Sequence, residues 1–218
     1  MTKSIIITAG GIGKRMGSDI PKQFIEVNGL PILMHTITKF FEYDNFIEII
    51  IVLPQTHIGY WNRLVKQFEF KIQHVIVEGG GERFYSIRNG LKQTTGDLIG
   101  IHDGVRPFVS LKVIQTVFNS AEINKAVIPV IDLKESIRRV GITETESVDR
   151  SQYKIVQTPQ CFTSDSIKKA YQQDFSTEFT DDASVVEKMG IKIHLVKGND
   201  ENIKITTPMD LKLAASLS

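Results

Sequence analysis

The residues with the clearest chemical capacity follow the first apolar run of the chain. Glycines there let the backbone approach a ligand and turn its N–H groups toward it, which suits a phosphate. Arg15 lies in this loop and Lys22 follows it, whereas Lys14 is equally well explained as a solvated side chain. A glycine-rich loop with cationic side chains beside it, here Arg15 and Lys22, favours a polyphosphate ligand. The loop reads Ala9, Gly10, Gly11, Ile12, Gly13, Lys14, Arg15, Met16 and Gly17.

Two common phosphate-binding motifs are excluded in this loop. A dinucleotide-binding fingerprint that starts at Gly11 needs a glycine at the position of Met16. A Walker A loop needs serine or threonine after its lysine, and here Lys14 is followed by Arg15. The loop therefore indicates a different kind of triphosphate site.

An acidic residue follows another predicted strand. Asp103 stands just past the apolar segment Leu98–His102, where open α/β sheets bind ligands. A single carboxylate there is suited to Mg²⁺, which takes hard oxygen ligands and is often shared with substrate phosphates. Taken alone, Asp103 is equally well a turn or helix-cap residue. Beside the cationic loop, the catalytic role is favoured.

Two further segments contain candidate binding residues. Gly79–Gly81 follows a predicted strand and precedes Ser86, so this cluster is suited to wrap a base or ribose, although a strand-to-helix turn also uses a glycine. Lys204 lies between apolar neighbours on a predicted strand within Asn202–Pro208. An inward lysine is costly unless it meets an anion, and an outward, solvated lysine is the alternative.

The alternation of short apolar runs and helical patterns predicts an α/β fold with a mainly parallel sheet. The charged stretch Asp132–Arg150 interrupts this alternation and is interpreted as a projecting β-arm, with a disordered excursion as the alternative. A last helix is expected to have Thr207 as its N-cap and Pro208 at its first position. The predicted strands are Ser4–Thr8, Glu48–Leu53, His74–Val77, Leu98–His102, Ala126–Val130 and Lys192–Val196, and the other predicted helices are Pro31–Phe41, Trp61–Phe68, Ser86–Lys92 and Leu111–Ala121.

Composition limits the possible partners and location. The chain has 218 residues, 41% of them hydrophobic, which predicts one domain over residues 1–218. The formal net charge of +1 gives no basic field for nucleic acid. Cys161 is the only cysteine, and the first apolar run is too short for a membrane span, so we expect a cytoplasmic protein without a membrane partner. The five histidines lack zinc-ligand spacing.

Together these segments resemble the 2-C-methyl-D-erythritol 4-phosphate cytidylyltransferases of the non-mevalonate isoprenoid pathway. The resemblance implies a Rossmann-like domain with helices on both faces of the sheet and a protruding β-arm that forms a homodimer. It covers nearly the whole chain in the order of the family. The matching segments are Ala9–Phe24, Gly79–Gly90, His102–Pro107, Val148–Arg150, Gln157–Gln160, Thr180–Ser184 and Asn202–Pro208.

The resemblance also implies roles for individual residues. The first loop (Ala9, Gly10, Gly11 and Gly13), with Arg15 and Lys22, would hold the triphosphate of CTP, and Gly80 and Ser86 would lie at the cytosine and ribose. Asp103 would bind Mg²⁺, and Lys204 would meet the phosphates. The residues expected to contact the polyol phosphate are Arg106, Arg150, Thr158 and Thr180, with Arg150 reaching across from the partner subunit.

Two departures from the family pattern bear on the substrate. The first loop reads Ala-Gly-Gly, and Gly104-Val105 precedes Arg106, as in the related ribitol-5-phosphate cytidylyltransferases. The segments Val148–Ser151 and Gln157–Gln160 are more similar to the methylerythritol enzymes. Ribitol 5-phosphate is therefore the alternative substrate, and an inactive nucleotide-binding regulator is the more distant alternative.

Overall fold

The computed structural model describes residues 1–11 and 20–217. Its strands, in chain order, are β1 (Lys3–Thr8), β2 (Glu26–Val27), β3 (Leu30–Pro31), β4 (Glu48–Leu53), β5 (Val75–Glu78), β6 (Leu98–Asp103), β7 (Ala126–Asp132), β8 (Arg138–Val140), β9 (Thr145–Ser147), β10 (Lys154–Val156), β11 (Gln160–Thr163) and β12 (His194–Lys197). Its α-helices are α1 (Ile32–Tyr43), α2 (Gln55–Gln67), α3 (Arg83–Leu91), α4 (Leu111–Asn124), α5 (Ser164–Ala170), α6 (Asp182–Glu187) and α7 (Pro208–Leu217).

A mainly parallel sheet forms the centre of the fold. Within the described ranges it has eight strands, in the order β10-β7-β11-β6-β1-β4-β5, with β12 also paired to β7. The pairs β1–β4, β1–β6, β4–β5 and β7–β12 are parallel. The strands β10 and β11 run antiparallel to their neighbours. The carboxyl ends of β1, β4, β5 and β6 consequently meet at one edge of the sheet.

Helices cover both faces of this sheet, as the sequence predicts. In β1, Ile5 and Ile7 pack with residues of α1, α2 and α4, whereas Ile6 packs with residues of α3, α5 and α6. Successive strand residues point to opposite faces, so a strand that is buried on both faces has a continuous apolar sequence. This arrangement explains the run Ile5–Ile7.

Most of the predicted elements are present, with shifted ends. The strand β4 has the predicted bounds. The helix α2 begins at Gln55, well before its predicted start at Trp61. The prediction started late because no residue before Trp61 in this helix is buried, so the apolar pattern begins there. The N-cap of α7 is confirmed, since Thr207 Oγ1 accepts the Asp210 N–H at 3.3 Å. The elements that the sequence does not predict are β2, β3, β10, β11, α5 and α6.

The predicted strand around Lys204 is wrong. Residues 202–206 form no strand, and the Ile205 N–H donates instead to the Val105 carbonyl at 3.0 Å. Ile205 is buried in a small cluster with Val27, Ile32, Val105 and Ala214. The burial of Ile205 in this cluster explains why an apolar residue occurs here without a strand.

The stretch Asp132–Arg150 contains the predicted β-arm. Within the part of the chain that the structure describes, its strands β8 and β9 pair only with each other, and all six of their residues are exposed. The Gly141 N–H donates to the Glu144 carbonyl at 2.8 Å and closes the turn between them. The arm is therefore an exposed two-stranded ribbon that is separate from the main sheet.

None of the helices in the described ranges is both long enough and apolar enough to cross a bilayer.

Candidate active site

A cavity of about 350 Å³ lies where the parallel strands end. Residues of three strand ends line it: Thr8 of β1, Leu53 of β4 and Asp103 of β6. This is the edge at which open α/β sheets bind ligands. Of the predicted site residues, the structure brings Ala9, Gly10, Gly11, Lys22, Gly80, Ser86, Asp103 and Lys204 together in the lining of this cavity.

The first glycine loop is fixed to its neighbours where it leaves β1. The Ala9 N–H donates to the Val52 carbonyl at 3.0 Å, and the Ala9 carbonyl accepts from Gln23 Nε2 at 2.7 Å. A Cβ atom at Gly11 would lie 3.0 Å from Lys22 Cε, so glycine lets the lysine side chain run close to the backbone. Gly13 and Arg15 lie outside the described residues, and their roles stay predictions.

The second glycine loop is closed by a hydroxyl group. The Gly80 N–H donates to Ser86 Oγ at 3.0 Å, which ties the loop to the first turns of α3. A Cβ atom at Gly80 would overlap Cβ of Tyr85, so only glycine fits there. The loop presents backbone to the cavity, as expected for a wall that surrounds a base or ribose.

Asp103 lies between two cations. Its Oδ2 accepts from Arg106 Nε at 2.9 Å and lies 3.1 Å from Lys204 Nζ. Burial alone would raise the pKa of Asp103, but the charges of Lys204 and Arg106 outweigh it and hold that pKa well below its usual range. The carboxylate is therefore ionised at neutral pH and unsuited to act as a general base. The side chain of Lys204 is 45% exposed, so it is not the inward lysine that the sequence predicts, although it does pair with the carboxylate of Asp103.

His102 and Thr158 form a buried support beneath Asp103. His102 Nε2 lies 3.0 Å from the Arg106 carbonyl, which can only accept, so this nitrogen carries the hydrogen. Burial lowers the pKa of His102 to about 4, so the ring is neutral and its Nδ1 accepts from Thr158 Oγ1 at 2.9 Å. The same Oγ1 accepts the Asp103 N–H at 3.1 Å. A contact between Thr158 and a sugar phosphate would require this hydroxyl to turn away from His102.

Asn202 connects this support to the segment that contains Lys204. Its Nδ2 donates to the Thr158 carbonyl at 2.8 Å, and its own carbonyl accepts from Arg106 Nη1 at 2.8 Å. Arg106 is thereby held on two sides, by Asp103 and by Asn202. The position of Lys204 is set through the same bonds, because it lies two residues further along the chain.

None of the four predicted substrate-binding residues is in the described lining of the cavity. Arg106 and Thr158 hydrogen-bond to Asp103, which does line it, whereas Thr180 and Arg150 lie elsewhere. Thr180 is exposed and directly precedes the N-cap of α6, which is Asp181. Arg150 is exposed at the base of the arm, where its Nη1 donates to the Lys134 carbonyl. Their predicted contacts with the polyol phosphate stay predictions.

The donor set around Asp103 fits a magnesium ion that is shared with substrate phosphates. Among the described residues, no group of three or more His, Cys, Asp or Glu side chains could hold a metal. In the described part of the chain, both cation contacts of Asp103 fall on Oδ2, which leaves its Oδ1 for a metal at the cavity lining. Mg²⁺ commonly takes one or two carboxylates and completes its shell with phosphate oxygens and water.

Sequence reasoning assigned no role to Arg83, Asp182, His102 or Asn202. Arg83 and Asp182 form a two-bonded ion pair although they lie 99 residues apart, so neither residue reveals the other in the sequence. For His102 the sequence offers only a zinc-ligand role, which its spacing does not support. The signal for the ion pair is position: Arg83 stands two residues after the second glycine loop, and Asp182 directly follows Thr180 and Asp181.

The fold and the cavity define a class of protein. A mainly parallel sheet with helices on both faces carries two glycine loops, two lysines and an ionised carboxylate at its carboxyl edge. Backbone loops and lysines are suited to bind a nucleoside triphosphate, and a carboxylate is suited to its metal ion. These features define a Rossmann-like nucleotidyltransferase.

Comparison with known proteins identifies the family within this class. The family described as "IspD: 2-C-methyl-D-erythritol 4-phosphate cytidylyltransferase" matches residues 4–217, so the chain belongs to it. The chain is 52% identical over 219 residues, and 100% of both chains, to the 2-C-methyl-D-erythritol 4-phosphate cytidylyltransferase of Bacteroides thetaiotaomicron. The enzyme of that name from Porphyromonas gingivalis is 46% identical over 97% of this chain and 96% of its own.

Solved structures confirm the fold class. The 4-diphosphocytidyl-2C-methyl-D-erythritol synthase of Anaerococcus prevotii superposes with a TM-score of 0.84 at 29% identity, over 99% of this chain and 95% of its own. The 2-C-methyl-D-erythritol 4-phosphate cytidylyltransferase of Francisella tularensis gives a TM-score of 0.82 at 30% identity, over 100% of both chains.

Proposed function

We propose that this chain transfers a cytidylyl group from CTP to 2-C-methyl-D-erythritol 4-phosphate, giving the CDP-linked alcohol and pyrophosphate. One observation carries the proposal. In a chain of this family, Lys22, Asp103 and Lys204 line one cavity with both glycine loops. The cavity thus combines cations for a triphosphate with a backbone wall for the nucleoside.

The reaction depends on neutralising the negative charge of the phosphates more than on proton transfer. A phosphate monoester oxygen attacks the α-phosphorus of CTP, and the bond from that phosphorus to the bridging oxygen breaks as pyrophosphate leaves with the electron pair. The second pKa of a phosphate monoester is about 6, so the attacking group is already largely dianionic at neutral pH. No general base is required, which agrees with Asp103 being ionised and bound by two cations.

The cations of the cavity would then act on the phosphates. Lys22, with Arg15 of the first loop, would bind the triphosphate and stabilise the charge that grows on the departing pyrophosphate. Lys204 would bring the two anionic reactants together. Arg106, which Asp103 and Asn202 hold in place, would lie beside the incoming phosphate.

Magnesium is part of the proposal. Asp103 would hold the ion together with phosphate oxygens, and the ion would neutralise part of the phosphate charge. This role predicts that a chelator abolishes turnover and that Asp103→Asn requires more Mg²⁺ than the wild-type protein.

We also propose a homodimer that forms through the arm, in which Arg150 contacts the polyol phosphate in the partner's cavity. The arm is exposed on all sides, and Arg150 does not line the cavity of its own chain. Sedimentation velocity would test the assembly. We place the reaction in the cytoplasm because it consumes CTP and because Cys161 is a buried, unpaired thiol.

The decisive experiment measures pyrophosphate release from CTP and Mg²⁺ with methylerythritol 4-phosphate and ribitol 5-phosphate in parallel. Faster turnover of the first acceptor supports the proposal. Preference for ribitol 5-phosphate would assign the chain to the related cell-wall precursor reaction. CTP binding without turnover of either acceptor would favour the regulator.

A further inference from the structure

An ion pair connects the lining of the cavity to the segment Thr180–Asp182. Arg83 is the first residue of α3 and lines the cavity two residues after the loop Gly79–Gly81. Its Nη1 donates to Asp182 Oδ1 at 2.8 Å, and its Nη2 donates to Asp182 Oδ2 at 2.6 Å. Two parallel bonds of this kind fix orientation as well as distance.

The carboxylate of this pair is fully buried and has a second partner. The Asp182 side chain is 0% exposed, against 37% for Arg83. Tyr171 Oη donates to Asp182 Oδ1 at 2.6 Å, and burial raises the pKa of Tyr171 well above its ordinary value, so the hydroxyl keeps its proton. The geometry of Asp182 is therefore fixed from two directions.

The segment around Asp182 is itself firmly held. Asp181 caps α6 through its Oδ1, which accepts the Ser184 N–H at 2.9 Å, and its Oδ2 accepts from Gln160 Nε2 at 2.8 Å. Gln160 Oε1 in turn accepts the Ala183 N–H at 2.8 Å. Thr180, a predicted contact of the polyol phosphate, directly precedes this capped turn.

Aromatic packing beside the pair adds rigidity. Phe84 stacks on Tyr171 with ring centroids 4.8 Å apart, so α3 and α5 are in contact next to the ion pair. A rotation of the second glycine loop relative to Thr180 would break the two charge-assisted bonds and this stacking together.

We propose that the Arg83–Asp182 ion pair is a positioning element that fixes the second glycine loop, Gly79–Gly81, relative to Thr180, the predicted contact of the polyol phosphate, and thereby sets kcat. The inference rests on the proposed function. Arg83 acts through Asp182 rather than on the reacting atoms. In-line attack depends on the relative placement of two bound reactants, and a displacement of about 1 Å between them can cost about 100-fold in rate.

The test compares Arg83→Lys, which keeps the charge but loses the two-bonded geometry, with Asp182→Asn, which keeps the shape but loses the charge. The matched control is Asp44→Asn, which breaks the partly buried ion pair between Lys3 and Asp44 at 3.1 Å, at the opposite edge of the sheet. For each protein, kcat, both KM values, the Kd for CTP and Tm are measured. Wild-type turnover in the same assay tests the proposed function separately.

We expect Arg83→Lys and Asp182→Asn each to lower kcat about 10- to 100-fold while the Kd for CTP changes less than about threefold. The double variant should lose no more than the worse single variant, because the two residues act as one unit. Asp44→Asn should lower Tm and leave kcat unchanged.

Two results would overturn the inference. If kcat per folded molecule stays within twofold of wild type while Tm falls, the pair is only structural. If the Kd for CTP rises more than tenfold with kcat unchanged, Arg83 is a direct nucleotide ligand instead. Should Arg83→Lys fail to fold, the same criteria apply to Asp182→Asn alone.

Discussion

Two regions of the molecule are built in opposite ways. One is the floor of the cavity, formed by Lys22, Asp103 and the buried His102 beneath Asp103, and the other is the arm, Asp132–Arg150. On the floor, His102 is 0% exposed and Asp103 is 8% exposed, and each makes several hydrogen bonds or ion pairs with its neighbours. In the arm, every residue of β8 and β9 is exposed, and Ile142 at the turn has no cover from the described parts of the chain.

This difference suggests separate roles for the two regions, with catalysis on the floor and substrate placement by the arm. The floor is held in place before any ligand arrives, which is what electrostatic stabilisation of a transition state requires. The ion pair between Arg139 and Glu146 in the arm is open to water, where such pairs contribute little. We infer that the floor performs the transfer, whereas the arm serves to place Arg150 and to contact a partner.

The largest expected effect is on the floor. Lys22→Ala should lower kcat roughly 10²- to 10³-fold, by analogy with the loss of one oxyanion donor, because the cation that faces the leaving pyrophosphate is removed. Steady-state kinetics of pyrophosphate release measure this. Lys39→Ala, which removes an exposed lysine of α1, is the control and should be unchanged. A Lys22→Ala enzyme within threefold of wild type would contradict the assignment.

The second effect concerns pH and the burial of His102. The pKa of His102 in the folded chain, about 4, lies below the ordinary value of 6.5. Between these two pH values, His102 is therefore protonated in the unfolded chain and neutral in the folded chain. The contribution of His102 to the free energy of unfolding is therefore fully present above pH 6.5. It is lost as the pH falls toward 4, which lowers the free energy of unfolding by up to about 3 kcal/mol.

Urea unfolding of wild type and His102→Gln between pH 7 and pH 4 isolates this contribution. The variant should be less stable at pH 7, and the difference between the two proteins should shrink as the pH falls. A constant difference across this range would show that His102 is not held neutral by burial.

A smaller effect is expected for Arg150 at the base of the arm. Arg150→Ala should lower kcat/KM for the polyol phosphate about 10- to 100-fold, because one hydrogen bond to a charged group contributes roughly 1.5–3 kcal/mol. The KM for CTP and Tm should stay near wild type, since the side chain is exposed. Equal losses toward both substrates would place Arg150 in the CTP site instead.

The smallest effect is expected within the arm itself. Arg139→Ala should change the free energy of unfolding by less than about 0.5 kcal/mol, because its partner Glu146 is also exposed. Thermal unfolding with Lys3→Met as the comparison would measure this, since Lys3 belongs to a less exposed pair. A loss above 1 kcal/mol would mean that the ribbon is more than a surface extension.

The sequence predicted what depends on local patterns. The continuous apolar run Glu48–Leu53 marked β4 to the residue, and the end of another run located Asp103 at the sheet edge. What it could not supply were contacts between distant segments. Thr158 beneath His102 and Arg83 against Asp182 depend on how separate elements pack. The prediction of a strand around Lys204 was wrong because Ile205 is apolar for another reason, namely its burial in a small hydrophobic cluster. In the sequence, a residue buried in this way cannot be told from one in a buried strand.

The division between floor and arm is tested most directly by mixing subunits. Lys22→Ala removes a floor residue and Arg150→Ala removes the arm residue, so each variant, if it forms the proposed homodimer, would have two defective cavities. In a mixed dimer one cavity would combine an intact floor with the partner's intact arm, and random mixing should restore about a quarter of wild-type activity. Activity that stays at the average of the two parents would contradict an arm that acts on the partner's cavity.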